Sequence, residues 1–187
     1  QQFVNMHKLD LADLKSRKDE WKIKLLAERE KRKPPRLDDK ILTSWNALML
    51  KGYVDAYRVF DDNHFLRIAI KNASFIEDNL IKEDGSLFRS YKNKESTINA
   101  YIEDYATLID AYISLYEVSL EEKWLILCKR LMDHTFEHFY DKNSNMFFFK
   151  SNVDSQLIAK KIELEDNVIP ASNSIMANNL LKGKREI

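Results

Sequence analysis

The chain has 187 residues, 30 Lys and Arg against 30 Asp and Glu, zero net charge and an isoelectric point near 7.1. That length fits one domain; 44% hydrophobic residues supply a core, and 32% charged residues keep the surface wet. Zero net charge excludes a general attraction to nucleic acid or anionic membrane, no run of 18 apolar residues marks a membrane span, and the charges mixed through residues 1–20 do not read as a signal peptide.

A cytoplasmic location is therefore expected. One cysteine, Cys128, leaves no internal disulfide, CxxC pair or zinc ribbon. Only three glycines and three prolines occur, where average usage gives roughly thirteen and nine. No Gly-rich phosphate loop is present, and neither cofactor nor metal is expected. Long helices with few breakers are the default.

Residues 9–32 read as a helix, with Leu9, Leu11, Leu14, Trp21, Leu25 and Leu26 on one side and charges elsewhere. Lys31-Arg32-Lys33 suits its C-terminal dipole, and Pro34-Pro35 stops it. Asp38 or Asp39 then caps a helix over about 40–60. That helix is apolar nearly all round (Ile41, Leu42, Trp45, Leu48, Leu50, Tyr53, Val54, Tyr57), so it should be buried on most sides. The helix over about 64–81 has one apolar stripe (Phe65, Ala69, Ala73, Ile76, Leu80) and reads as an outer helix. A turn at 83–86 leads to a strand-like run at 87–91. The pattern recurs: a buried helix over about 101–118, a one-faced helix over about 121–140, a turn at 141–145 and a strand-like Met146–Phe149.

A shift of 59 residues puts the two units in register. Ala47 meets Ala106, Tyr53 meets Tyr112, Tyr57 meets Tyr116, Phe65 meets Trp124, Leu80 meets Phe139 and Phe88 meets Phe147. Such a repeat is a fold-level signal. Alternating buried and one-faced helices describe an all-α fold, a partial (α/α)6 toroid of helical hairpins with short β-hairpins between units. The expected layout is one domain over 1–187: a leading helix and linker at 1–35, repeats at 36–94 and 95–158, and the start of a third at 159–187. A ring left open exposes inner-helix faces, so self-association is expected.

In a toroid the N-termini of the inner helices converge on one mouth, where unpaired N–H groups and positive dipole ends favour polar chemistry. Three clusters lie there: Asp38, Asp39, Lys40, Ser44, Trp45 and Asn46; Glu103, Asp104 and Tyr105; and Asp166, Pro170, Ser172, Asn173 and Ser174. Arg89-Ser90-Tyr91 precedes the second. Asp39, Thr43 and Asn46 share a helical face at i, i+4, i+7. Asp104, Asp39 and Glu103 are the candidate catalytic carboxylates; each is either an acid or base in a desolvated mouth or a cap. Trp45, Asn46, Arg89, Tyr91, Tyr105, Ser172 and Asn173 are the candidate substrate-binding residues. Aromatic platforms beside carboxylates suit a sugar, although aromatics on buried helices also serve as core. His134-Thr135-Phe136-Glu137-His138 matches a zinc-peptidase pattern, but the repeat places it on an outer helix, with no third ligand in view. Cys128 reads as core, His64 as loop and His7 as tail.

Arg36–Asn46 (RLDDKILTSWN), Tyr101–Ala106 (YIEDYA) and Pro170–Ser174 (PASNS) together resemble the spermatogenesis-associated thioredoxin-like protein family, over residues 14 to 182. Where relatives usually carry Pro-Ser-Gly-Asn-Ser, this chain has Pro-Ala-Ser-Asn-Ser. The resemblance implies a thioredoxin-like domain joined to a six-hairpin toroid, similar to those of N-acylglucosamine 2-epimerases and glycosidases. Those epimerases use cavity histidines. Here no histidine falls at an inner-helix N-terminus, which argues against epimerase chemistry in this segment. Two functions follow: a carbohydrate-active enzyme or sugar binder with a carboxylate-lined cavity, or a non-catalytic toroid that docks a thioredoxin-like partner domain.

Overall fold

The structure is a computed structural model that describes residues 3, 6, 7, 10–154 and 160–186. The chain divides into two compact units, Gln1–Asp38 and Asp39–Ile187. The first holds helix α1 (Leu11–Glu30), started by Asp10, whose carboxylate accepts the Ala12 amide. Asp13–Arg17 and Glu20–Lys24 pairs run along it at the spacing that supports an isolated helix. None of its residues is buried. Leu9, expected in this helix, lies outside the described residues.

The second unit runs β1 (Ile41–Leu42), α2 (Thr43–Phe60), α3 (Asn63–Leu80), β2 (Phe88–Lys92), β3 (Glu95–Asn99), α4 (Ile102–Ser119), α5 (Lys123–His138), β4 (Tyr140–Asp141), β5 (Met146–Phe147) and α6 (Ser172–Glu186). The repeat holds to the residue. α2 and α4 begin and end 59 apart, and each stops at a left-handed residue, Asp61 at φ 53° and Leu120 at φ 56°. Equivalent positions also bond to each other, Lys51 to Asp110 and Arg58 to Glu117. The two helices therefore lie side by side, parallel and in register. α6 takes the other flank of α4 in the same direction: Asn179 donates to the Ala106 carbonyl at 2.8 Å and Lys182 to Asp110 at 2.7 Å.

α3 and α5 form the outer layer, each burying one stripe. Ala69, Ala73, Ile76 and Leu80 do so on α3, and Trp124, Leu127, Cys128 and Leu131 on α5. Between the layers Tyr112 packs on Trp124, ring centroids 5.3 Å apart, and the Cys128 thiol reaches the Ile109 carbonyl. Fully burying side chains such as Leu50, Ile76, Leu108 and Ile109 stabilises the fold by about 1.5–3 kcal/mol each.

Three details differ from the sequence reading. α2 is not buried on most sides: Thr43, Ser44, Ala47, Leu50 and Val54 are covered, whereas Trp45, Met49 and Phe60 are 65%, 56% and 68% exposed. α4 holds the equivalent flank against α2 and buries it. Neither Asp38 nor Asp39 caps α2. Ile41 and Leu42 pair with Tyr91 and Ser90 as β1, so the helix begins at Thr43 with Leu42 as its N-cap. Finally, 95–99 is a strand. Its sequence, Glu-Ser-Thr-Ile-Asn, carries one apolar residue and gave no strand signal, but Asn93 and Lys94, at φ 53° and 65°, make the two-residue turn that closes a hairpin with β2.

Candidate functional site

Parallel inner helices bring the N-termini of α2, α4 and α6 to one end of the second unit, and Asp104 sits between two of them. Its side chain is fully buried. Oδ1 accepts the Ser44 amide of α2 at 3.0 Å, while Oδ2 accepts the Tyr101 amide at 3.0 Å and Arg89 Nη1 at 3.0 Å. The carboxylate thus satisfies an open amide at the start of two helices at once, the task that Asp39 does not perform. Burial pushes the Asp104 carboxyl above the ordinary range; the Arg89 charge and the two amides oppose it.

Arg89, on β2, also donates from Nη1 to Glu103 at 2.5 Å, and its guanidinium lies 4.8 Å from the Tyr101 ring centre. Burial works against the Arg89 charge, but Glu103 and Asp104 outweigh it and raise its pKa. Glu103 and Asp104 point about 100° apart on α4. Asp104 goes into the α2 interface, and Glu103 lines a depression of about 480 Å³ with Glu163, Glu165, Asp166, Pro170 and Ala171. Glu163 accepts the Ser172 hydroxyl at 2.7 Å and amide at 3.3 Å, and Asp166 accepts the Ala171 amide at 2.8 Å. With the Ser172 amide held by Glu163 and the Ala171 amide by Asp166, the start of α6 is capped as that of α2 is, by carboxylates from another segment. Burial raises the Glu163 pKa, but Ser172 and Lys161 overcome this and hold it low; Asp166 is lowered by the Ala171 amide and the Ser174 hydroxyl.

Of the residues expected at the mouth, Arg89, Glu103, Asp104, Asp166, Pro170 and Ser172 gather there. Several others point elsewhere. Asp39 is half exposed and pairs with Lys92, which lowers its pKa. Trp45 lies on the open flank of α2. Asn46 donates to the Leu42 carbonyl of its own helix at 2.8 Å. Tyr91 meets Phe75 of α3 edge-on at 5.2 Å. Tyr105, two residues beyond Glu103, faces the outer layer: it accepts the Leu87 amide and stacks on His134 at 5.5 Å. Asn173 is buried, its amide side chain bonding both the N–H and the carbonyl of Phe147 as a further strand would. His134 and His138 share a face of outer helix α5, ring centres 4.4 Å apart. Sequence reasoning missed Glu163, which sits in a polar connection without a motif. It also missed Lys51 and Asp110, although both occupy one repeat position.

Inner and outer helices in alternation, with a polar rim at the inner N-termini, define a segment of an (α/α)6 toroid of the six-hairpin glycosidase and epimerase kind. The description of the beta-L-arabinofuranosidase GH127 catalytic domain matches residues 26–173, and the chain belongs to that family. It is 32% identical over 184 residues to an uncharacterised protein of Caenorhabditis elegans, covering 94% of this chain and 25% of the relative. It is 30% identical over 169 residues to human spermatogenesis-associated protein 20, covering 85% and 22%. The chain therefore spans about a quarter of the length of the curated relatives it matches. Among solved structures, the GH76 alpha-mannanase of Bacteroides thetaiotaomicron superposes with a TM-score of 0.64 at 18% identity, over 83% of this chain and 41% of the enzyme. Cellobiose 2-epimerase of Bacillus thermoamylovorans does so at 0.64 and 19%, over 81% and 42%. No described helix is long and apolar enough to cross a membrane.

Proposed function

We propose that the second unit is part of a carbohydrate-active toroid that binds a sugar at the inner-helix rim, with Glu103 as the carboxylate facing the ligand. The observation that carries this reading is the division of labour on Arg89. One guanidinium nitrogen holds both carboxylates, Asp104 locks the frame, and Glu103 is fixed at the wall of the 480 Å³ depression. A carboxylate fixed at a cavity wall suits proton transfer at a glycosidic bond. Asp104 is then a positioning residue, and Asp39 stands apart with Lys92. The family description names an arabinofuranosidase, and the neighbours named above process mannan and cellobiose, which supports a sugar ligand. The repeat units 36–94, 95–158 and 159–187 each contribute an inner helix to this site.

A second reading is a non-catalytic toroid that docks a thioredoxin-like domain. It is favoured by the fact that all three expected carboxylates are held by cations, Asp39 by Lys92 and the others by Arg89. The buried thiol of Cys128 is compatible with a reducing, cytoplasmic setting in either case. The test is a panel of arabinofuranosides, mannosides and cellobiose, read by calorimetric binding and by product release, with wild type and Glu103→Gln. Binding lost in the variant supports the sugar reading, and turnover lost with it supports catalysis. Absence of binding to every sugar refutes it.

A further inference from the structure

Below the rim the inner helices line a second, open cavity of about 300 Å³. Leu48 and Lys51 of α2, Thr107 and Asp110 of α4, and Ser174 and Asn178 of α6 line it. Pro170 lines both this cavity and the rim depression, so the two adjoin. Glu103, Thr107 and Asp110 fall on one face of α4 at i, i+4, i+7, which puts Asp110 about 10 Å deeper than Glu103.

The charges here do not cancel. Asp110 Oδ2 accepts Lys51 Nζ at 2.8 Å, and Oδ1 accepts Lys182 Nζ at 2.7 Å, with all three side chains partly buried. Burial works against the Asp110 charge, yet Lys182 and Lys51 outweigh it and keep the carboxyl ionised well below neutral pH. One negative charge thus faces two positive ones. Each ammonium has three N–H donors, and one on each bonds Asp110. Lys51 ties α4 to α2 and Lys182 ties it to α6, and together they exceed the single charge of Asp110. Two lysines on one carboxylate leave a surplus positive charge; Lys51 lines a cavity whose walls, Asp110 apart, are otherwise neutral, and that surplus attracts an anion.

We propose that this cavity is a subsite for the anionic substituent, carboxylate or phosphate, of a sugar bound at the rim, with Lys51 in its wall as the binding group and Lys182, on the other oxygen of Asp110, as the second charge. Thr107, Ser174 and Asn178 offer hydroxyl and amide groups to the adjoining sugar ring. The inference rests on the sugar-binding reading above and deepens it to acidic or phosphorylated sugars.

The test is binding of D-glucuronate, D-glucose 6-phosphate, D-glucose and inorganic phosphate to the whole chain, followed by NMR or calorimetry. Either charged sugar should bind about tenfold more tightly than glucose, the low end of what one charge-assisted hydrogen bond gives. The preference should fade with added salt, a readout that needs no variant. Lys51→Gln and Lys182→Gln, each confirmed folded by circular dichroism, should abolish the preference for charged sugar over glucose. Which charged sugar binds better distinguishes carboxylate from phosphate. Equal affinity for charged and neutral sugars overturns the inference while leaving the sugar reading intact. A preference that survives both substitutions and high salt, or phosphate alone binding as tightly as glucose 6-phosphate, overturns it too. Absence of any sugar binding fails the underlying reading.

Discussion

Asp104→Asn should destabilise the fold rather than silence a site in an intact one. The carboxylate has two oxygens and three donors: Ser44 N–H on one, Tyr101 N–H and Arg89 on the other. Asparagine has one acceptor oxygen and an NH2 group. Turned toward Tyr101 and Arg89, it sets its NH2 against the Ser44 amide; turned toward Ser44, it sets it against two donors. The first orientation wins, leaving one buried amide without a partner and a weaker bond to Arg89. Losing a charge-assisted bond and a cap costs about 2–3 kcal/mol. Burial works the other way, because a neutral side chain carries a smaller desolvation cost, and this trims the loss without reversing it. A chain of this size then melts roughly 4–12 °C lower. Urea unfolding followed by circular dichroism gives the free energy, and the thermal midpoint checks it. Wild-type stability to within about 0.5 kcal/mol, the range of neutral surface changes, would refute the clamp and restore Asp104 as a candidate for chemistry alone.

Three further outcomes are expected. His134 is held below its usual 6.5 by burial and the neighbouring His138; the unfolded chain takes up the proton first, so its stabilising contribution is complete above that pH and is lost as pH falls through 6.5 toward the folded value. Urea midpoints at about pH 7.5 and about pH 5.5 should differ, and His134→Phe, which keeps a ring against Tyr105, should shrink the difference. Gly85→Ala should cost about 1–3 kcal/mol by urea unfolding, because Gly85 sits at φ 81° and a Cβ would come within 3.0 Å of Arg130; an unchanged midpoint would sink that account. Exposed Trp45 and Met49 on α2 should drive concentration-dependent association, which Met49→Lys reduces in sedimentation velocity; a wild-type monomer at all concentrations would contradict it.

Much of the fold is legible in the sequence because its signal is periodic. Helix α4 is apolar on nearly every side, α5 on one, and the 59-residue shift that aligns Tyr53 with Tyr112 also relates the ends of α2 to those of α4. The site is less legible because direction at a helix start depends on where the helix begins. Two residues of strand at Ile41–Leu42 move the α2 N-terminus away from Asp39, and no local pattern announces that pairing with β2. Tyr105 and Glu103 are close in sequence, yet a 100° step per residue sends them to opposite layers. Glu163 takes its role from a connection whose sequence is merely polar.

The polar line on α4 explains how so buried a helix keeps one register. Glu103, Thr107, Asp110, Ser114 and Glu117 recur at i, i+4, i+7, i+11, i+14, opposite the face that Tyr105, Ile109 and Tyr112 turn to α5. Each is answered from another segment or its own turn. Arg89 meets Glu103, the Thr107 hydroxyl bonds the Glu103 carbonyl, Lys51 and Lys182 meet Asp110, and Arg58 reaches both the Ser114 carbonyl and Glu117. Apolar helix faces tolerate a slip of one turn, since one Leu replaces another at similar cost. These pairs do not, because a slip would leave Asp110 partly buried without a cation, a loss of about 3–5 kcal/mol. Lys51–Asp110 and Arg58–Glu117 join positions that the repeat makes equivalent, so charge holds adjacent units level. Held level, their N-termini share one rim.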